Sequence, residues 1–167
     1  MASGPSNGDQ LYLWASSQGP LGRGFCLTLV RGLRPSRVVP AIGGTGHETV
    51  FWSQLVGPGD GETAGGRYFA GVANLGGWTL LLEDGAGGLG MDSAIVEPLS
   101  AGTEVVAYRC DATRQGPLRV YRDGRLETDV TDPIETAITY IEARTRIKLT
   151  GELLEAKTYL LVTVPKV

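Results

Sequence analysis

The chain carries a single imidazole, His47, in the segment GGTGHE. Imidazole titrates near neutrality, so His47 is the side chain best suited to take and return a proton at working pH. Glu48 follows it and could orient the ring or raise its pKa. A second candidate is the pair Glu83-Asp84, which ends an apolar run. Two carboxyls held together can split into acid and base when one pKa is pushed up. Tyr108 and Arg109 offer donors that could steady a developing oxyanion. Phe51, Trp52, Tyr68 and Trp78 supply an aromatic wall for an apolar substrate. The resulting expectation is a base at His47, assisted by Glu48 or Asp84, with Tyr108 or Arg109 on the oxyanion. Each group also has a plainer reading. His47 is then a solvated loop residue, Glu83-Asp84 the start of an Asp-Gly turn, and Arg119 and Arg122 ordinary surface charge.

Several motifs fail on context. Gly85-Ala86-Gly87-Gly88-Leu89-Gly90 spells GxGxxG after a strand, but a dinucleotide site needs it inside a parallel βαβ unit. Here the preceding strand turns back through Asn74-Leu75-Gly76-Gly77, and Glu83 and Asp84 would repel a pyrophosphate, so the segment reads as a flexible loop. The GGTGHE segment lacks the lysine of a phosphate loop. No GxSxG, HExxH or Ser/His/Asp order is present. One histidine and two distant cysteines give no zinc spacing, so neither metal nor cofactor is expected. Cys26 and Cys110 lie in apolar runs without a CxxC and read as buried free thiols.

The formal net charge is -3, which argues against nucleic acid or an anionic membrane as partner. No apolar run reaches transmembrane length and no signal peptide opens the chain, so a cytoplasmic protein is expected. The 25 glycines suggest short strands and many turns.

The elements that must position these groups follow from periodicity. Residues 1–8 read as disordered and 9–167 as one domain. Asp9 can cap a short helix carrying Leu11, Trp14 and Ala15. Phe25 to Val30 reads as a strand, and Pro35 opens a short helix with Val38, Val39 and Ile42 inward. Residues 43–66 read as an irregular loop. Around it the chain is organised by the hairpin of residues 67–85, with Tyr68, Ala70 and Val72 alternating on one strand and Trp78, Leu80 and Leu82 on the other. Residues 103–111 and 117–123 are strands, and Asp123-Gly124 is a hairpin turn returning into 125–130. Asp132 is predicted to cap a helix with Pro133 at its first position and Ile134, Ala137, Ile138 and Ile141 on one stripe. Thr150 caps a second helix, and 158–164 closes as a strand. The hairpins predict an α+β domain, a mainly antiparallel sheet with helices packed on one face.

The stretches WTLLLEDG, YRDGRLETDV and IEARTRIKLTGELL, with FCLTLVRGL near the start, resemble a family of small actinobacterial proteins classed as a domain of unknown function. The resemblance supports the fold and transfers no active site; the His47 loop matches none of its motifs. Two functions are open. One is a cofactor-independent enzyme of specialised, polyketide-type metabolism, performing dehydration, cyclisation or isomerisation on an apolar small molecule. The other is a non-enzymatic interaction module, immunity-like or regulatory. A homodimer is one arrangement such a chain could adopt. An apolar hollow at His47, floored by the Trp78 ribbon, would favour the enzyme; a flat or convex surface there would favour the partner.

Overall fold

The computed structural model describes residues 13–15, 20–55, 66–85 and 88–166. The expected disorder of residues 1–8, the Asp9 cap and the 57–65 part of the glycine-rich loop lie outside them. Among the described residues eight strands run in chain order: β1 (Phe25–Arg31), β2 (Thr45–Phe51), β3 (Arg67–Asn74), β4 (Trp78–Asp84), β5 (Glu104–Cys110), β6 (Gln115–Arg122), β7 (Arg125–Pro133) and β8 (Thr158–Pro165). They form one sheet of order β2-β8-β3-β4-β1-β5-β6-β7, and every neighbouring pair is antiparallel. This is an α+β protein.

The helices are α1 (Pro35–Ala41), α2 (Trp52–Leu55), α3 (Ser93–Leu99), α4 (Ile134–Thr145) and α5 (Gly151–Glu155). They cover both faces of the sheet, not one. Val38 of α1, Ile42 at its C-cap, and Ile95, Val96 and Leu99 of α3 pack with Val30, Val72, Leu81, Val105 and Val162. On the other face, Ile134, Ala137, Ile138 and Ile141 of α4 pack with Phe25, Leu27, Leu80, Val106, Leu118 and Tyr159. The reason is visible in the central strands. Six residues of β1 and six of β4 are buried in succession, an unbroken apolar run that needs cover on each side. Tyr68, Ala70 and Val72 therefore point to the α3 side, while Trp78, Leu80 and Leu82 point to the α4 side.

Two expectations about local structure are corrected. The stretch 45–51 is strand β2, paired with β8, not a loop. Six of its seven residues are exposed, so the hydrophobic alternation that marks a strand is absent. At the other edge, Asp132 does not cap α4. Strand β7 runs on to Pro133, which pairs with Gln115 and itself takes the extended cap position at φ -62°. Thr150 caps α5 as expected, accepting from the Leu153 N–H at 3.1 Å.

Candidate functional site

The nine residues proposed from sequence do not meet at one place. His47 and Glu48 stand in the β-bulge of edge strand β2 and are exposed; the His47 Nε2 lies 2.9 Å from Thr163 Oγ1 on β8. Phe69 faces Thr163 from β3 and is 46% exposed. Trp78 lies three strands across from β2 and near the opposite end of the sheet, on the order of 20 Å from His47 by strand geometry. The expected hollow floored by the tryptophan ribbon is therefore not formed around His47. Tyr108 is sealed in the α4-side core, where its hydroxyl donates to the Asp132 carbonyl at 2.9 Å. Phe51 is 64% exposed, whereas Trp52 is buried against the Tyr159 ring. Trp52 also lines a 450 Å³ recess with Trp14, Pro20, Glu152 and Glu155.

The remaining groups, Tyr68, Asp84 and Arg109, lie around a fork in the sheet. Strands β3 and β4 pair only from Gly71–Leu82 to Asn74–Thr79. Beyond that, residues 67–70 continue with β8, and Glu83 and Asp84 continue with β1. On the α3 side of the fork, register brings three chemically different groups into one cross-strand row. Cys26 of β1 faces Glu83 of β4 on one flank and Arg109 of β5 on the other. The 3₁₀ turn Leu89–Met91 closes over Cys26 and Glu83, while Arg109 stays exposed. Its Gly90 approaches so closely that a Cβ there would meet Thr28 Oγ1, the Ala107 Cβ and the Cys26 sulfur.

Glu83 is only 2% exposed. Its carboxylate accepts the Leu89 N–H at 2.9 Å and the Gly88 N–H at 3.2 Å. Burial nevertheless dominates and raises its pKa to about 7, against the opposing pull of those N–H groups, the Cys26 thiol and the Arg109 charge. Burial, with Glu83 beside it, pushes the Cys26 thiol well up, so it stays protonated and a poor nucleophile. The GxGxxG segment thus contains an ordered carboxylate cradle at Gly88 and Leu89, where sequence suggested a flexible loop. Tyr68 donates to Asp92 Oδ2 at 2.9 Å, and burial with that carboxylate raises its pKa to about 12. Asp92 also caps α3 through the Ala94 N–H. Asp84 points to the opposite side of the sheet. Burial raises its pKa against the charge of Arg23, and its Oδ1 is buried without a hydrogen bond among the described residues.

A second charged centre was missed from sequence. Glu104, at the start of β5, is 4% exposed and binds two guanidiniums, Arg31 Nη1 at 2.9 Å and Arg144 at 2.7 Å. Burial raises its pKa, but the two arginines outweigh that and hold it below the ordinary value. Arg31, Glu104 and Arg122 line a 440 Å³ open cleft with Gly32, Gly102, Thr103 and Asp123. The only sequence signal was an acidic residue opening the apolar run VVAY.

Among the described residues no His, Cys, Asp or Glu side chains gather in a group able to hold a metal ion. No helix there is long and apolar enough to cross a membrane. The fold and its charged clusters define an α+β protein with one two-sided antiparallel sheet. Residues 7–137 match a family of unknown function, DUF6461, and the chain belongs to that family. No curated protein and no solved structure matches it.

Proposed function

We propose that this protein acts as a protein-interaction module and that edge strand β7 is its docking surface. The observation that carries this reading is the exposure of β7. Seven of its nine residues are exposed, among them Leu126 at 46% and Val130 at 44%, while the central strands β1 and β4 are buried on both faces. An edge strand presents unpaired N–H and C=O groups, which a partner strand can complete. A photo-crosslinking residue placed at Leu126 in the intact chain tests it in the native cell. A discrete, stoichiometric adduct is expected; labelling no stronger than at an exposed helix position far from this edge, such as Arg37, would overturn it.

A second reading rests on the fork. Glu83, with its pKa near 7, and Asp84, with a buried and unpartnered oxygen, are adjacent in sequence and shifted in the same direction. Shifts of this kind gather at proton-transfer sites. Under this reading the protein is a cofactor-independent acid/base enzyme acting on an apolar small molecule, with Asp84 as the accessible base. The burial of Glu83 and Cys26 under Leu89 favours the interaction reading. An Asp84→Asn variant that turns over every small-molecule substrate found for the wild type at an unchanged rate would remove the enzymatic one.

A further inference from the structure

We infer that the partner completing β7 is the β7 of a second copy of this chain, paired antiparallel about a two-fold axis at Val130. This rests on the interaction reading and supplies its partner. The two edges of the sheet differ in what they can template. Strand β2 carries its bulge in the middle, at His47 and Glu48, so its register is broken where a partner would sit. Strand β7 carries its bulge at Glu127, because Tyr121 faces Leu126 while Val120 faces Thr128. From Thr128 to Asp132 the pairing with β6 is regular, and Pro133 closes the other end.

That regular window is Thr128-Asp129-Val130-Thr131-Asp132, and Val130 is its centre. Two copies related by a two-fold at Val130 place Val130 against Val130, Asp129 against Thr131, and Thr128 against Asp132. The bulge residue Glu127 falls opposite Pro133, so the two interruptions coincide outside the paired window. Each carboxylate meets a threonine hydroxyl, a donor, and no two like charges stand directly opposite. Moving the axis by one residue to Asp129 would set two aspartates face to face. Moving it to Thr131 would set Val130 against Asp132. Asp129 is also already paired with Arg119 at 3.3 Å, which offsets its charge. The two valines are 44% exposed on the α4 side and would cover each other. Such a pairing is isologous and closes on itself. It joins two eight-stranded sheets into one of sixteen.

Sedimentation velocity on the full chain tests this, over about two decades of concentration. Wild type is expected to pass reversibly from monomer to dimer. Val130→Lys sets two ammonium groups opposite each other and should weaken the dimer by about tenfold or more. Val130→Thr, which keeps strand preference without charge, should leave it within about threefold. A wild type that stays monomeric throughout, or a Val130→Lys chain that dimerises as tightly as wild type, overturns the proposal. Circular dichroism on both variants separates loss of pairing from loss of fold. The Leu126 crosslink distinguishes this failure from that of the interaction reading. An adduct of twice the 17.7 kDa chain supports both. An adduct with a different protein overturns self-pairing and keeps the module, and no adduct overturns both.

Discussion

Glu83 and Glu104 are both buried glutamates of one sheet, at opposite ends of its central strands, yet their surroundings treat the charge in opposite ways. Glu83 is solvated by two backbone N–H groups and a thiol, with a guanidinium acting across the row, and its pKa rises to about 7. Glu104 is gripped by two guanidiniums in direct contact, and its pKa falls. Both side chains are nearly closed to solvent, 2% and 4% exposed, but Glu83 lies deeper in the protein, whereas Glu104 lines the open cleft. Two causes therefore act together: desolvation is heavier at Glu83, where backbone dipoles do not offset it, and lighter at Glu104, where two ion pairs outweigh it. One environment favours the protonated carboxyl, and the other fastens α4 to the start of β5.

The comparison is broken most forcefully at Glu104. Glu104→Gln keeps the shape and one acceptor but removes the charge that Arg144 needs. Arg144 is only 20% exposed and would retain Glu127 at 3.5 Å and the Tyr140 hydroxyl. Removing one member of a buried pair costs about 3–5 kcal/mol, and the remaining partners place this case near about 3 kcal/mol. Urea unfolding at neutral pH would read that loss; a change under about 1 kcal/mol would mean the network is solvent-screened.

The next effect separates the two glutamates by sign. The folded-state pKa of Glu83 is raised above its ordinary 4.5, so the native state holds its proton longer than the unfolded chain does. Its contribution is therefore greatest below pH 4.5 and is lost as pH rises to about 7, a span worth about 3 kcal/mol. Glu104 is depressed, so its contribution is present above its ordinary pKa and disappears as pH falls through the folded value. The stability of Glu83→Gln relative to wild type should therefore improve steadily from pH 5 to pH 7.5. A parallel pair of stability curves across that range would show that Glu83 does not titrate there.

How much of this could be read from residues alone follows the same division. Strand β5 and the hairpin of β3 and β4 were legible, because TEVVAYRC and RYFAGVAN-x₃-WTLLLED carry apolar runs and a glycine turn. The acidic end of β4 was legible too, as was the possibility that one carboxyl is raised. The Cys26–Glu83–Arg109 row was not, because it depends on β1 inserting between β4 and β5, and no local pattern announces that pairing. Strand β2 was hidden for the opposite reason: its exposed residues show no alternation. The two-sided cover of the sheet was foreshadowed by FCLTLV and WTLLLE, whose unbroken apolar character exceeds what one covered face requires.

The roof over Glu83 offers a smaller, purely steric probe. Gly90→Ala drives a methyl into Thr28 Oγ1 and to 2.8 Å from the Ala107 Cβ, inside the packed row. Overpacking of this kind costs about 1–3 kcal/mol. The turn would have to lift, lengthening the Leu89 N–H bond to Glu83. Amide exchange at Leu89 should then speed up while exchange in α4, over the Glu104 site, stays as in wild type. Equal acceleration at both would mean that the two centres are coupled through the whole fold.

The smallest effect tests whether both arginines on Glu104 matter equally. They are at similar distances, 2.9 and 2.7 Å, but Arg31 is 62% exposed and Arg144 20%. Water competes for the Arg31 guanidinium, and ordering its long side chain costs entropy, so its pair behaves as a surface ion pair. Arg31→Gln should cost under about 1 kcal/mol, and the cost should shrink as salt is raised. Arg144→Gln should cost more and respond less to salt, because its pair is shielded and it also holds the Tyr140 hydroxyl at 2.8 Å. Thermal melts of the two variants at low and high salt decide it. If Arg31→Gln is the costlier change, then the charge on Glu104 is neutralised mainly from the open cleft, and the fastening of α4 to β5 must come from its apolar stripe on the sheet.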